Sequence, residues 1–390
     1  MNILDYLATE FASFDEKPFN PVDSAALSQF CMVRMEDIAP MKRAWSEPPS
    51  LRAAVADRLR PVRPVRFTDA LRAEHYDSLF TGLVPEPVKN NMLALAASPR
   101  FRTMTVQDCA SVFDEATQTQ FAAMTFVCGK KFAYVGFRGT DRSFTGWREN
   151  FNMTYQFPVP AQDLAVRYLE AIAPRLPQRL YLGGHSKGGN LAEYAALHAT
   201  PKVQERIERI YDHDGPGFRA GAVDDRAFSI IRDRVHKTVP QECIVGMLLE
   251  TPRELPLHVV RSADHGMMQH SVLNWEVKGT DFVYADQLAD SSLSTHAIME
   301  QWLTGFSPEK TRQVVEAAFR AIEASSALDA ADILMGGVKS IALLVEAAKA
   351  LDQANRDILV SALGTLTNLI AHDAARGVAG WLAPKTKGAS

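Results

Sequence analysis

The chain has 390 residues, 47% of them hydrophobic and 23% charged, with a formal net charge of −4. That balance is ordinary for a soluble globular protein with a sizeable core, built as one large α/β domain with additions or as two domains. With no basic block interleaved with aromatics, it excludes a nucleic-acid partner.

Cys31, Cys109, Cys128 and Cys243 lie far apart with no C-x-x-C pair, so neither a zinc knuckle nor a disulfide framework is expected. The opening Met1-Asn2-Ile3-Leu4-Asp5-Tyr6 has no basic stretch followed by an apolar run, as a secretory signal would. No stretch reads as long and uncharged enough to span a bilayer. The expectation is a cytoplasmic protein with reduced thiols.

Residues 1–100 read as a mostly helical, irregular segment that packs on the core or covers a site. Asp23-Ser24-Ala25-Ala26-Leu27-Ser28-Gln29-Phe30 begins with a capping residue, and Thr68-Asp69-Ala70-Leu71-Arg72 does so again. Between them Pro48-Pro49, Pro61 and Pro64 break any regular element. Strand texture begins near 103, with runs at 104–106, 120–127 and 132–137. The last two, joined at Gly129-Lys130, read as a hairpin. Arg138-Gly139-Thr140-Asp141 closes the second run, and a helix follows over 160–173. After a short strand from Leu180 come a helix at 191–197 and strands at 207–214, 235–239 and 256–260. This alternation predicts a mostly parallel sheet with helices on both faces, a core over 101–285, and ligands gathered at its C-terminal strand ends. Residues 286–390 read as a helical extension: 291–303, 307–324 and 338–371, the last with Ile341, Leu344, Val345 and Ala348 on one face. That face could contact lipid, but folding back on the core or on a second subunit is the more ordinary reading.

The chemistry is organised around Gly184-His185-Ser186-Lys187-Gly188, which fits G-x-S-x-G with a strand before it and a helix after it. Such a turn strains its central residue to expose a serine hydroxyl, so its flanks must carry almost no side chain. A glycine-rich, phosphate-binding strand–helix connection is the plainer alternative.

Together with Phe137-Arg138-Gly139-Thr140, Asp214-Gly215-Pro216-Gly217-Phe218, Ile244-Val245-Gly246-Met247-Leu248-Leu249 and Gln269-His270, this turn resembles a bacterial α/β-hydrolase family related to the class 3 lipases. The resemblance implies an α/β-hydrolase fold and a serine esterase. It gives Ser186 the nucleophile's role, Thr140 with Gly139 that of the oxyanion loop, Lys187 the second backbone N–H, and His270 the general base. The lipases' acid has no direct counterpart, because the comparable stretch Val239-Pro240-Gln241-Glu242-Cys243 offers Glu242 and no aspartate.

A serine hydroxyl needs a base within reach, an acid to orient that base, and N–H donors for the tetrahedral intermediate. His265 and His270 both lie in the loop after the last core strand, whereas His213, His236 and His258 fall inside strands. For the acid, Asp214 ends the strand after the nucleophile's; Glu242 and Asp264 stay open as alternatives. Lys187 opposes a helix dipole, so it should pair with a carboxylate such as Asp141 or Asp214, or else meet an anionic substrate. Asp141, Trp147 and Glu149 are candidates for the pocket mouth. The expected activity is cleavage of a small-molecule or lipid ester with no metal or organic cofactor. A thioesterase or acyltransferase, and a catalytically silent scaffold, are the other readings.

Overall fold

A computed structural model describes residues 1–41, 45, 61–81, 84–252, 254–324 and 338–382; Pro48-Pro49 lie outside them. The chain forms two compact units, Met1–Ala289 and Asp290–Ser390, so residues 1–100 belong to the same unit as the sheet.

In the first unit, the described residues form an eight-stranded sheet whose strands lie side by side in chain order. They are β1 (Val65–Arg66), β2 (Met104–Asp114), β3 (Thr119–Cys128), β4 (Phe132–Phe137), β5 (Leu180–His185), β6 (Ile207–His213), β7 (Val235–Pro240) and β8 (Leu257–Val260). Pairing is antiparallel from β1 to β4 and parallel from β4 to β8. A right-handed crossover that always steps to the next strand puts each helix on the same face. Helices α5 (Pro160–Ile172), α6 (Lys187–His198) and α7 (Asp225–Arg232) accordingly share one face with the inward residues of β4–β7. Both faces are covered, as expected, but the second is covered by the N-terminal segment: α1 (Ile3–Thr9), α2 (Pro21–Phe30) and α3 (Pro85–Ala97). Strand alternation sorts the side chains between the two. Tyr134, Tyr181 and Tyr211 meet the N-terminal helices, while Ala133, Val135, Leu180, Leu182 and Ile210 meet the crossover helices.

The cap of helix α2 is Asn20, three residues before the expected Asp23. Asn20 accepts from the backbone of Val22 and Asp23, and the Asp23 carboxylate accepts from the N–H of Asn20, a reciprocal box with Pro21 in the first turn. The helix is buried over its whole length from Asp23, and Ser24 and Ser28 Oγ meet Tyr134 Oη at 3.0 and 2.8 Å. Gly183 permits this approach, since a Cβ there would stand 2.5 Å from Tyr134 Oη and 3.1 Å from Ser24 Oγ. Arg100, fully buried, ties the segment down through both carboxylate oxygens of Asp23 (2.6 and 2.8 Å) and the carbonyls of Ala12, Lys17 and Pro18.

Strand β2 runs on to Asp114, well past the expected stretch. Asp108 sits at φ 54° and the register with β3 shifts between Gln107 and Ala110, a bulge that interrupts the alternation by which a strand is recognised.

The second unit holds α8 (Asp290–Thr304), α9 (Pro308–Ala324), α10 (Val338–Ala347) and α11 (Gln353–Leu382). The expected single helix over 338–371 is broken at Leu351-Asp352, where Asp352 Oδ1 accepts from the N–H of Asn355 and starts α11. Ala317, Ala321, Ala348, Leu359 and Leu363 form its core; of the anticipated face Val345 is 37% exposed instead. Within Gln353–Ala375, 18 residues of mean hydropathy 1.3 are long and apolar enough to cross a membrane by length and composition alone, where the sequence reading marks no such stretch. From Ile358 to Ala371 it carries no charged residue: its outward positions Ser361, Thr365, Thr367 and Asn368 are polar but uncharged, while the other face packs inside the unit.

Candidate active site

The parallel strands end where the site lies. After β5 the chain turns at Ser186, which takes φ 58° and ψ −132° before α6 begins at Lys187. Only a crowded surrounding sustains such a conformation in a residue with a side chain. Here the Ser186 N–H donates to the His213 carbonyl (2.9 Å), and the Ser186 carbonyl accepts from the N–H of Gly189 (2.9 Å). Gly184 abuts the backbone of Gly188, and Gly188 abuts the Phe137 carbonyl, so a Cβ at either would collide with main chain. The flanking glycines are thus steric requirements of the turn.

The Arg138–Thr140 loop borders the serine. A Cβ on Gly139 would lie 3.5 Å from Ser186 Cβ and 2.8 Å from the His185 carbonyl. Thr140 Oγ1 accepts from Asn150 Nδ2 at 2.6 Å, leaving its own proton to point elsewhere. Arg138 anchors the loop from behind, donating to the carbonyls of Cys31 (2.6 Å) and Val33 (2.9 Å) and pairing with Glu36 (2.8 Å). The Lys187 N–H belongs to the first turn of α6, whose amide hydrogens have no partner within the helix.

Asp214 follows β6 with φ 55° and is completely buried. Its Oδ2 stands 2.6 Å from His270 Nδ1, and its Oδ1 accepts from the Cys243 thiol (2.9 Å) and the N–H of Gly246 (3.0 Å). Burial pushes its carboxyl pKa up, but the bond to His270, that ring's charge and the Cys243 thiol outweigh burial and hold it below the usual carboxylate range. Burial likewise drives Cys243 well up, so it remains a thiol and a donor.

The other candidates are engaged elsewhere. Glu242 Oε2 accepts from the N–H of Gly266 (2.6 Å), and its Oε1 lies 3.5 Å from Nδ1 of His265, whose side chain is 91% exposed. Asp264 holds Asn274 Nδ2 at 3.0 Å. Lys187 pairs with neither Asp141 nor Asp214. Its ammonium, 1% exposed, gives its three hydrogens to Glu149 Oε2 (2.9 Å), Gln120 Oε1 (2.8 Å) and the Gln120 carbonyl (2.6 Å), so none is left for an anionic ligand. Glu149, on α4 (Phe144–Asn152), is therefore a buried partner and no part of a pocket mouth. Asp141 instead meets Arg34 at 3.1 Å.

Neither Ser186 Oγ nor His270 Nε2 is hydrogen-bonded among the described residues. A serine–imidazole contact commonly tightens only with substrate in place. Beneath the turn, on the crossover-helix face, Lys237 binds Asp212 and donates to the Gly215 carbonyl (2.6 Å), while Asp212 Oδ1 accepts from the N–H of Gly215 (2.8 Å). Sequence reading passed over Cys243, Arg138 and this pair. Asp212 and Lys237 share the face on which Ile210 and Val235 meet the crossover helices, and a charged residue in each strand where an apolar one belongs is the signal that marks them.

A deletion mutant of Rhizomucor miehei lipase, as its propeptide complex, is similar to this chain at 14% identity and a TM-score of 0.28, over 49% of this chain and 70% of that one. A score that low is below the level at which a shared fold follows. No curated protein matches. Residues 95–320, more than half of the chain, match the Mbeg1-like family, and the protein belongs to that family.

Proposed function

We propose that this protein is a serine hydrolase of lipase or esterase type that cleaves a carboxylic ester through an acyl-serine intermediate. The 2.6 Å contact between Asp214 Oδ2 and His270 Nδ1 carries the reading. A buried carboxylate on Nδ1 fixes that nitrogen as the N–H side and leaves Nε2 as the base. In the proposed path Nε2 takes the Ser186 proton as Oγ attacks the ester carbonyl. The oxyanion is met by the Lys187 N–H and the Gly139–Thr140 loop, with the Thr140 hydroxyl as a further donor. The imidazolium then protonates the leaving alcohol, and a water activated by His270 releases the acid. The buried, reduced thiols fit a reducing compartment such as the cytoplasm.

A fluorophosphonate probe tests this in one gel: the wild type labels and Ser186→Ala does not. Hydrolysis of p-nitrophenyl esters, compared with acyl transfer to an added alcohol or thiol and with cleavage of an acyl thioester, separates esterase from transferase and thioesterase. A folded wild type that neither labels nor turns over any of these substrates would leave a hydrolase-shaped binding protein.

Cys243→Ala should raise the Asp214 carboxyl pKa by removing a donor to its charged form. A carboxylate held below its unfolded pKa adds stability at neutral pH that is lost as pH falls through the folded pKa. Acid unfolding of C243A therefore begins at a higher pH than in wild type, and Cys243→Ser, which keeps a donor, lies between them. Circular dichroism along a pH titration reads the order.

A further inference from the structure

His185 precedes the nucleophile and its ring lies against that of His270, with centroids 4.5 Å apart. Its Nε2 stands 2.7 Å from the main-chain carbonyl of His270, and its Nδ1 stands 3.2 Å from Gln29 Nε2. The protonation pattern follows from the partners. A carbonyl oxygen only accepts, so Nε2 must carry the hydrogen. Burial, and next the charge of His270, hold the His185 pKa down to about 3, so the ring is neutral at physiological pH and Nδ1 is a bare acceptor. The Gln29 amide must then donate to it. Gln29 is 3% exposed on α2, in the N-terminal segment that precedes the family match at residue 95.

We propose that Gln29 and His185 form a positioning relay: Gln29 sets the His185 tautomer, and His185 Nε2–H fixes the His270 main chain, and so the imidazole's place relative to Ser186. The relay rests on the serine-hydrolase reading. It gives the N-terminal helix a task beyond covering the sheet, because it joins α2, the nucleophile's turn and the base's loop in one chain of hydrogen bonds. His185 does not touch substrate. A base misplaced by even ~1 Å can cost on the order of 10²-fold in rate, so this one bond can matter more than its stability contribution suggests.

The test combines three substitutions with a spectrum of the full-length wild type. Glutamine places its amide nitrogen near the position of an imidazole Nε2, so His185→Gln keeps a donor to the His270 carbonyl, whereas His185→Met has none. Gln29→Met, close to glutamine in length, takes away the donor to Nδ1 and with it the bond that sets the tautomer. The expected result is a fall in kcat of at least about tenfold for H185M and a smaller fall for Q29M, with KM within about twofold and H185Q close to wild type. The rate of fluorophosphonate labelling should follow kcat. Nitrogen-15 spectra of the wild type should show His185 as the neutral Nε2–H tautomer, and this measurement stands even where a variant fails to fold. A labelled wild type with His185 in the other tautomer, or H185M turning over within twofold of wild type, overturns the relay alone. A wild type that neither labels nor turns over overturns the hydrolase reading, and with it the relay's part in placing a base.

Discussion

Asp214→Asn should lower kcat for ester hydrolysis by roughly 10³–10⁴-fold while the protein stays folded, and Glu242→Gln should change it by no more than about threefold. The asymmetry follows from what each side chain holds. Asp214 Oδ2 receives His270 Nδ1, whereas Glu242 receives the N–H of Gly266. An asparagine at 214 can turn its amide nitrogen toward Nδ1. The ring then carries its hydrogen on Nε2 and can no longer take the serine's proton. The imidazolium formed during attack also loses its buried counter-charge. The Cys243 thiol and the Gly246 N–H still have an amide oxygen to meet, so the fold has little reason to fail. Single-turnover acylation by a chromogenic ester separates this from slow product release. Equal losses in D214N and E242Q would remove Asp214 from its assigned place.

What the sequence makes legible here is local, and what it hides is reach. The turn at Ser186 is readable because main-chain crowding leaves Gly184 and Gly188 no alternative, and a demand for glycine shows in the residue types themselves even where, as at Gly188, the crowding atom is the distant Phe137 carbonyl. The acid stays open in the sequence because what singles out Asp214 lies far along the chain: Cys243, Gly246 and His270 converge on it through β7 and the loop after β8. An isolated aspartate before Gly215-Pro216-Gly217 looks the same as one that only starts a turn. Alternation predicts β3 to β8 and the start of β2, but neither β1 nor the order in which the strands lie. Helices on both faces fit a doubly wound sheet equally well, and only the in-order pairing makes α1–α3 the cover of the second face. Gln29 reads as one more polar position on a short helix. Its significance depends on a ring 156 residues away.

The same argument explains Lys187 and leads to the second large effect. Lys187→Met should destabilise the first unit by about 3–5 kcal/mol, the usual cost of leaving a buried charge without its partner. Glu149 is completely buried, and it also accepts from the backbone N–H groups of Gln120 (3.1 Å) and Ala161 (3.0 Å). The pair thus ties β3, α4 and the start of α5 to the first residue of α6, behind the turn at Ser186. With the ammonium gone, the carboxylate keeps two N–H donors but loses its ion-pair partner, and Gln120 loses two acceptor contacts. The double variant Lys187→Met/Glu149→Gln should recover most of the loss, because an amide and a thioether are far cheaper to bury than a lone carboxylate. Denaturant midpoints for the two single variants and the double close the cycle. Were the lysine held there to attract an anionic substrate, Lys187→Met would slow anionic esters more than neutral ones. With all three hydrogens spent inside the protein, both should fall by the same factor, tracking the fraction folded and the set of the turn. A selective loss for anionic esters would mean that the ammonium leaves Glu149 during turnover, and the cycle would then show a coupling energy well below that of a fixed buried pair.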